Sequence, residues 1–242
     1  MRKCIGLLIV LGFLSANTAM ADNAPATGDS PVQMAVTPPA QTPAVWQARR
    51  AQFAEIAQGA RRGDASSQAA LDGVLTQFET APLGRTPIEN LEILGVFYIP
   101  KDGVEKTLPL IVMNQVLGWY DALRFGTESG RTEIAQNEVF FKRPFVIAGG
   151  DSIKQMVALM HEHPDQVASA VRQGISFAEK FKDNHAYDDH WPTAYGLERS
   201  ICAQGAACET AAFLPKDQWS AAWQAAKQRV LTYYVLSARQ SK

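Results

Sequence analysis

Leu108, Ile111, Val112, Val116, Trp119 and Leu123 recur at helical steps, so they line one side of a helix that Gly126 closes. A side this apolar has to be covered, and the rest of the chain must supply the cover. We therefore take this helix as the centre of the domain. The residues before it offer partners of the same kind. Trp46, Phe53, Ile56, Ala57 and Ala60 share a helix face ahead of Gly63. Asp64 is placed to cap a second helix, with Ala70, Leu71, Val74, Leu75 and Phe78 as its stripe. Thr86-Pro87-Ile88-Glu89 is a capping box with proline at the first helical position. Ile93 to Ile99, rich in β-branched and aromatic residues, reads as helix or as strand, with Pro100 to Gly103 as a turn.

Beyond the central helix, Thr127 to Lys142 reads as a helix interrupted near Pro144. Gly149-Gly150 breaks the chain, and Asp151 caps a helix carrying Ile153, Met156, Val157 and Met160. Past Pro164, the stripe Val167, Val171, Ile175, Ala178 and Phe181 makes a further helix despite Gly174 inside it. Leu214-Pro215 opens a last helix with Trp219, Trp223, Ala226, Val230, Tyr233 and Tyr234 on one side. The pattern predicts an all-α fold, a single multi-helix, bundle-like domain over residues 45–242.

The amino terminus sets the expected compartment. Arg2 and Lys3 precede an apolar run, Ile5 to Ala16, too short for a bilayer span, and Ala19-Met20-Ala21 offers a small-x-small cleavage pattern. Residues 1–21 thus read as a signal peptide cleaved after Ala21, which places the mature chain in the periplasm without stable membrane insertion. Residues 22–44, with five prolines among Ala, Thr, Ser and Gln, read as a disordered, flexible leader. Cys4 leaves with the signal. Cys202 and Cys208 remain and read as a disulfide closing a short C-terminal loop, since no second Cys or His pair stands around them at zinc-finger spacing. Loss of Arg2 and Lys3 leaves 21 basic against 24 acidic residues, a poor balance for a nucleic-acid partner.

The chemistry-bearing residues crowd into Asn184 to Cys208. All four histidines (161, 163, 185 and 190) fall within thirty residues, a density that first suggests metal binding. His161 and His163 stand two apart and point to different faces, no H-E-x-x-H is present, and His185 and His190 fall in a loop. We therefore expect no metal and no cofactor. A G-x-S-x-G elbow and a phosphate-binding glycine loop are also missing, which leaves no catalytic residue to nominate. What the stretch does offer is recognition. His185, Tyr187, Asp188, Asp189, His190 and Trp191 combine rigid rings carrying polar tips with charge, the composition of a binding surface. Asp188→Lys or Trp191→Ala is then expected to weaken binding without unfolding the domain. Asp121, Arg124, Glu128, Arg131 and Glu133 read as ion pairs on a helix surface.

Two stretches, LGWYDALRFGTESGRTEI (Leu117 to Ile134) and YDDHWPTAYGLERSICAQGAAC (Tyr187 to Cys208), together with signal peptide, polar leader, helical body and late disulfide, resemble periplasmic immunity proteins of type VI secretion systems. The resemblance implies a non-enzymatic inhibitor whose partner is a cognate toxin, blocked by stoichiometric binding over its active site. Two other classes compete with it. One is a periplasmic hydrolase or metal-dependent enzyme using the His/Asp cluster at 185–190, which requires a pocket with converging titratable groups. The other is an envelope assembly chaperone, which requires a broad exposed apolar groove.

Overall fold

The computed structural model describes residues 43–80, 84–136, 141–196 and 213–239. The expected signal peptide, nearly all of the leader, and both Cys202 and Cys208 lie outside the described residues. Every regular element among those described is helical, so the fold is all-α.

The long helix at its centre is α5, Val104–Phe125. Along it the residues from Ile111 to Ala122 are all buried, the polar ones included. A helix wrapped on every side must have neighbours on every side. These are α9 (Pro164–Phe181), the final helix α10 (Trp219–Arg239), α3 (Pro87–Ile93) and α8 (Ser152–Glu162). Polar groups on α5 are answered inside the core: Asn114 Oδ1 accepts from Asn90 Nδ2 at 2.9 Å, and Gln115 Oε1 accepts from the Tyr234 hydroxyl at 2.9 Å. Between α5 and α9 the backbones approach closely. A Cβ on Gly174 would stand 2.5 Å from the Pro109 carbonyl oxygen and 2.6 Å from Val112 Cβ. The glycine that weakens α9 as an isolated helix is what lets it lie against α5.

Local signals act where expected at two helix starts. Asp64 Oδ2 accepts the Ser67 N–H at 2.8 Å, opening α2 (Ala65–Thr80) behind α1 (Pro43–Arg61). Thr86 and Glu89 form the capping box of α3. Elsewhere the structure decides an open reading or changes the expectation. Ile93 to Ile99 contains no strand: α3 runs into a π-helical turn, Leu94–Tyr98, and then into α4, Ile99–Asp102. The cause is Pro100, which has no N–H to give the Val96 carbonyl. The widened turn lets Ile99 N–H bond back to Leu94, and Val96 O takes a long 3.5 Å contact from Arg61 instead. The helix expected from Thr127 to Lys142 is described as α6 over Glu128–Gln136, with a separate α7, Arg143–Ala148, that Pro144 helps to start. Asp151 sits at the N-cap of α8, but its carboxylate pairs with Lys154 Nζ at 2.8 Å and caps nothing.

No described helix is long and apolar enough to cross a membrane.

Gly174→Ala separates packing from propensity. Helix propensity alone favours alanine by about 1 kcal/mol. The clash with the Pro109 carbonyl dominates, so the variant is expected to lose about 1 to 3 kcal/mol of unfolding free energy in urea.

Candidate functional site

Residues 107–120 of α5 carry no charge, and then Asp121 stands in the core with 1% exposure. A carboxylate survives there only if donors converge on it. Its Oδ2 accepts from the Tyr187 hydroxyl and from Trp191 Nε1, each at 2.9 Å, and its Oδ1 accepts from Arg124 at 2.8 Å. One carboxylate therefore ties the loop after α9, and the short 3-10 turn Trp191–Ala194 that follows, to the central helix.

Arg124, 3% exposed, lies one turn further along α5. Its guanidinium is boxed by Tyr120 at 4.0 Å, and by Phe125 and Trp219 at 4.6 Å each. It also reaches Asp189 Oδ2 at 3.4 Å. The Arg124 carbonyl accepts the Leu214 N–H, and Leu214 O in turn accepts Trp219 Nε1, both at 2.9 Å. On the other flank Glu133 of α6 accepts the Gly196 N–H at 2.7 Å.

Outside this buried network lies a ring of titratable groups. His190 Nδ1 stands 3.0 Å from Asp189 Oδ1 and 3.4 Å from Asp188 Oδ1, its ring tilted against Phe125 with centroids 4.2 Å apart. His185 stacks on Tyr187 at 4.3 Å, with Nδ1 3.3 Å from the Tyr187 carbonyl oxygen. Burial pushes the Asp121 carboxyl up to about 6, against the pull of Arg124 and of the Trp191 and Tyr187 hydrogen bonds. Burial, then the neighbouring Asp121 charge, drives the Tyr187 phenol well above its ordinary value. For Asp189 burial works upward, but the His190 hydrogen bond and the Arg124 charge outweigh it and hold the carboxyl low. The same Asp189 hydrogen bond raises the His190 imidazole.

The six residues nominated for recognition divide in two. Tyr187 and Trp191 are buried, with their polar tips spent on Asp121, so they anchor the loop from inside. The expectation that Trp191→Ala spares the fold gives way accordingly. His185, Asp188, Asp189 and His190 keep side-chain exposures of 14 to 37% and form the outer face. Asp121 and Arg124, read from sequence as surface ion-pairing residues, are interior. The signal that marks them is the lone carboxylate after fourteen uncharged helical residues.

Compared with family models, curated proteins and solved structures, the chain matches none.

Two measurements check the network. Trp191→Phe keeps a ring but removes the donor, so a loss of about 1 to 2 kcal/mol is expected, against about 3 to 5 for Trp191→Ala. Asp121 titrates near 3.8 when unfolded and near 6 when folded, so its contribution is fully present below 3.8 and lost as pH rises through 6. The difference in unfolding free energy between the wild type and Asp121→Asn should therefore shrink between about pH 4 and 6. A pH-independent difference would show that Asp121 keeps an ordinary pKa.

Proposed function

We propose that this protein is a periplasmic inhibitor of the immunity type, which neutralises a toxin delivered to the periplasm by binding over its active site. The observation that carries the reading is the loop at 183–196. It is locked from beneath by Asp121, Tyr187, Trp191 and Arg124, and it turns an acidic and imidazole face outward. A segment already fixed before contact loses little conformational entropy on binding, which is what a tight stoichiometric blocker needs. The expected Cys202–Cys208 disulfide would restrain the chain just beyond it in the same way. The resemblance to periplasmic immunity proteins, and the export expected from residues 1–21, point to the same class.

Acidic side chains at the rim of such a surface govern the encounter with a positively charged partner. Asp188, Asp189 and the exposed Asp183 supply that character here. A hydrolase using the same cluster would instead show turnover that disappears with His190.

Pull-down of the mature protein from its own periplasm, under conditions that preserve complexes, should recover one stoichiometric protein partner. Asp183→Lys, on an exposed side chain, and Asp188→Lys should each weaken that complex by roughly tenfold, or about 1.4 kcal/mol, with circular dichroism unchanged. Undiminished affinity in both variants would move the interface off this loop. Catalytic turnover of a periplasmic substrate would replace the inhibitor reading altogether.

A further inference from the structure

The loop's outer face brings two carboxylates and an imidazole together. Asp188 Oδ1, Asp189 Oδ1 and His190 Nδ1 converge so that their ligating atoms lie within 4.8 Å of one another. The imidazole nitrogen is 3.0 Å from one carboxylate oxygen and 3.4 Å from the other. A single ring N–H cannot serve both acceptors well, and Asp188 Oδ1 already accepts the His190 backbone N–H at 3.0 Å. Ligands about 2.1 Å from a common ion stand about 3.0 to 3.5 Å apart at octahedral or tetrahedral angles. Both imidazole–carboxylate separations fall in that span.

His185 lies beside this group: its Nδ1 faces the Tyr187 carbonyl oxygen at 3.3 Å, and its Nε2 stands 3.9 Å from Asp189 Oδ2, the oxygen turned toward Arg124.

Arg124 is spent on Asp121 and on the inner oxygen of Asp189. That contact also fixes the Asp189 carboxylate from behind with its Oδ1 toward His190, the part a supporting group plays for a ligating carboxylate.

We infer that Asp188, Asp189 and His190 form a binding site for a divalent transition-metal ion of the zinc class. Mixed imidazole and carboxylate ligands suit zinc and its neighbours, whereas calcium and magnesium take oxygen ligands. The partial exposure of these three side chains leaves room for water to complete the coordination. The site stands apart from the partner reading, because it is tested on the isolated protein.

The test uses the tag-free mature chain, stripped with chelator and titrated calorimetrically with Zn²⁺ alone. Co²⁺ is then substituted and its visible absorption recorded. One ion per chain is expected, with the stronger visible bands of a low-coordinate cobalt site. His190→Gln and Asp188→Asn should each weaken zinc binding by roughly tenfold or more and remove those bands. The pair His161→Gln and His163→Gln, on exposed side chains, should leave both readouts unchanged. Thermal unfolding of the stripped variants identifies any that fail to fold, and Asp188→Asn decides if His190→Gln is one of them. No saturable binding, equal affinity in wild type and the folded loop variants, or loss only in the His161/His163 variant would each overturn the assignment.

Discussion

Everything in the loop's placement depends on the Asp121 carboxylate accepting three donors inside the protein. Remove the carboxylate and Trp191 Nε1, the Tyr187 hydroxyl and much of the Arg124 charge are left buried and short of partners. Remove a donor and the carboxylate is less well compensated. This mutual need makes the arrangement specific, because leaving a buried polar group unmet costs more than making its bond gains. The surrounding rings add to it. Tyr120, Phe125 and Trp219 stack on the guanidinium and keep water from competing for it.

What could be read from sequence was what acts over short range. The Asp64 cap and the Thr86–Glu89 box each close within three residues, and the α5 stripe is a periodicity, so all were legible without the fold. Pro100 marked a disturbance beside the π-turn, but the close packing of α7 against that turn was not legible, since α7 comes from elsewhere in the chain. A Cβ on Gly95 would stand 2.5 Å from the Pro144 carbonyl oxygen, a constraint invisible at Gly95 itself. Asp121 failed for the same reason. Its partners lie 66 and 70 residues onward, while the nearer charges at 124 and 128 offered an adequate surface explanation. Trp191 carries a further ambiguity. A large ring with a polar tip suits an interface anchor and a core residue equally, and only the location of its acceptor tells them apart.

The histidines show how far spacing rules extend. Helical steps bring side chains together by periodicity, so the lack of a helical metal motif removed a helical site and nothing more. Between α9 and the turn at Trp191–Ala194 the chain is irregular, and consecutive residues converge because the backbone folds over Asp121. Asp188 accepts its own neighbour's N–H two residues on, which brings its oxygen against the His190 ring. The buried anchor and the outer cluster are therefore one construction. The inner donors choose the loop's path, and the path sets the outer carboxylates and imidazoles facing one another.

That coupling bears on recognition. Without an ion, the outer face presents two carboxylates whose charge His190 offsets in part. With an ion seated between them, the same atoms present a cation with positions open to exchangeable ligands. A partner that supplies lysine or arginine suits the first state, and one that supplies a carboxylate or histidine suits the second. Because Arg124 and Asp121 hold the backbone beneath in either case, the loop need not move for its preference to change. Metal occupancy would then act on partner affinity through charge alone, as a difference between two complexes of one rigid surface.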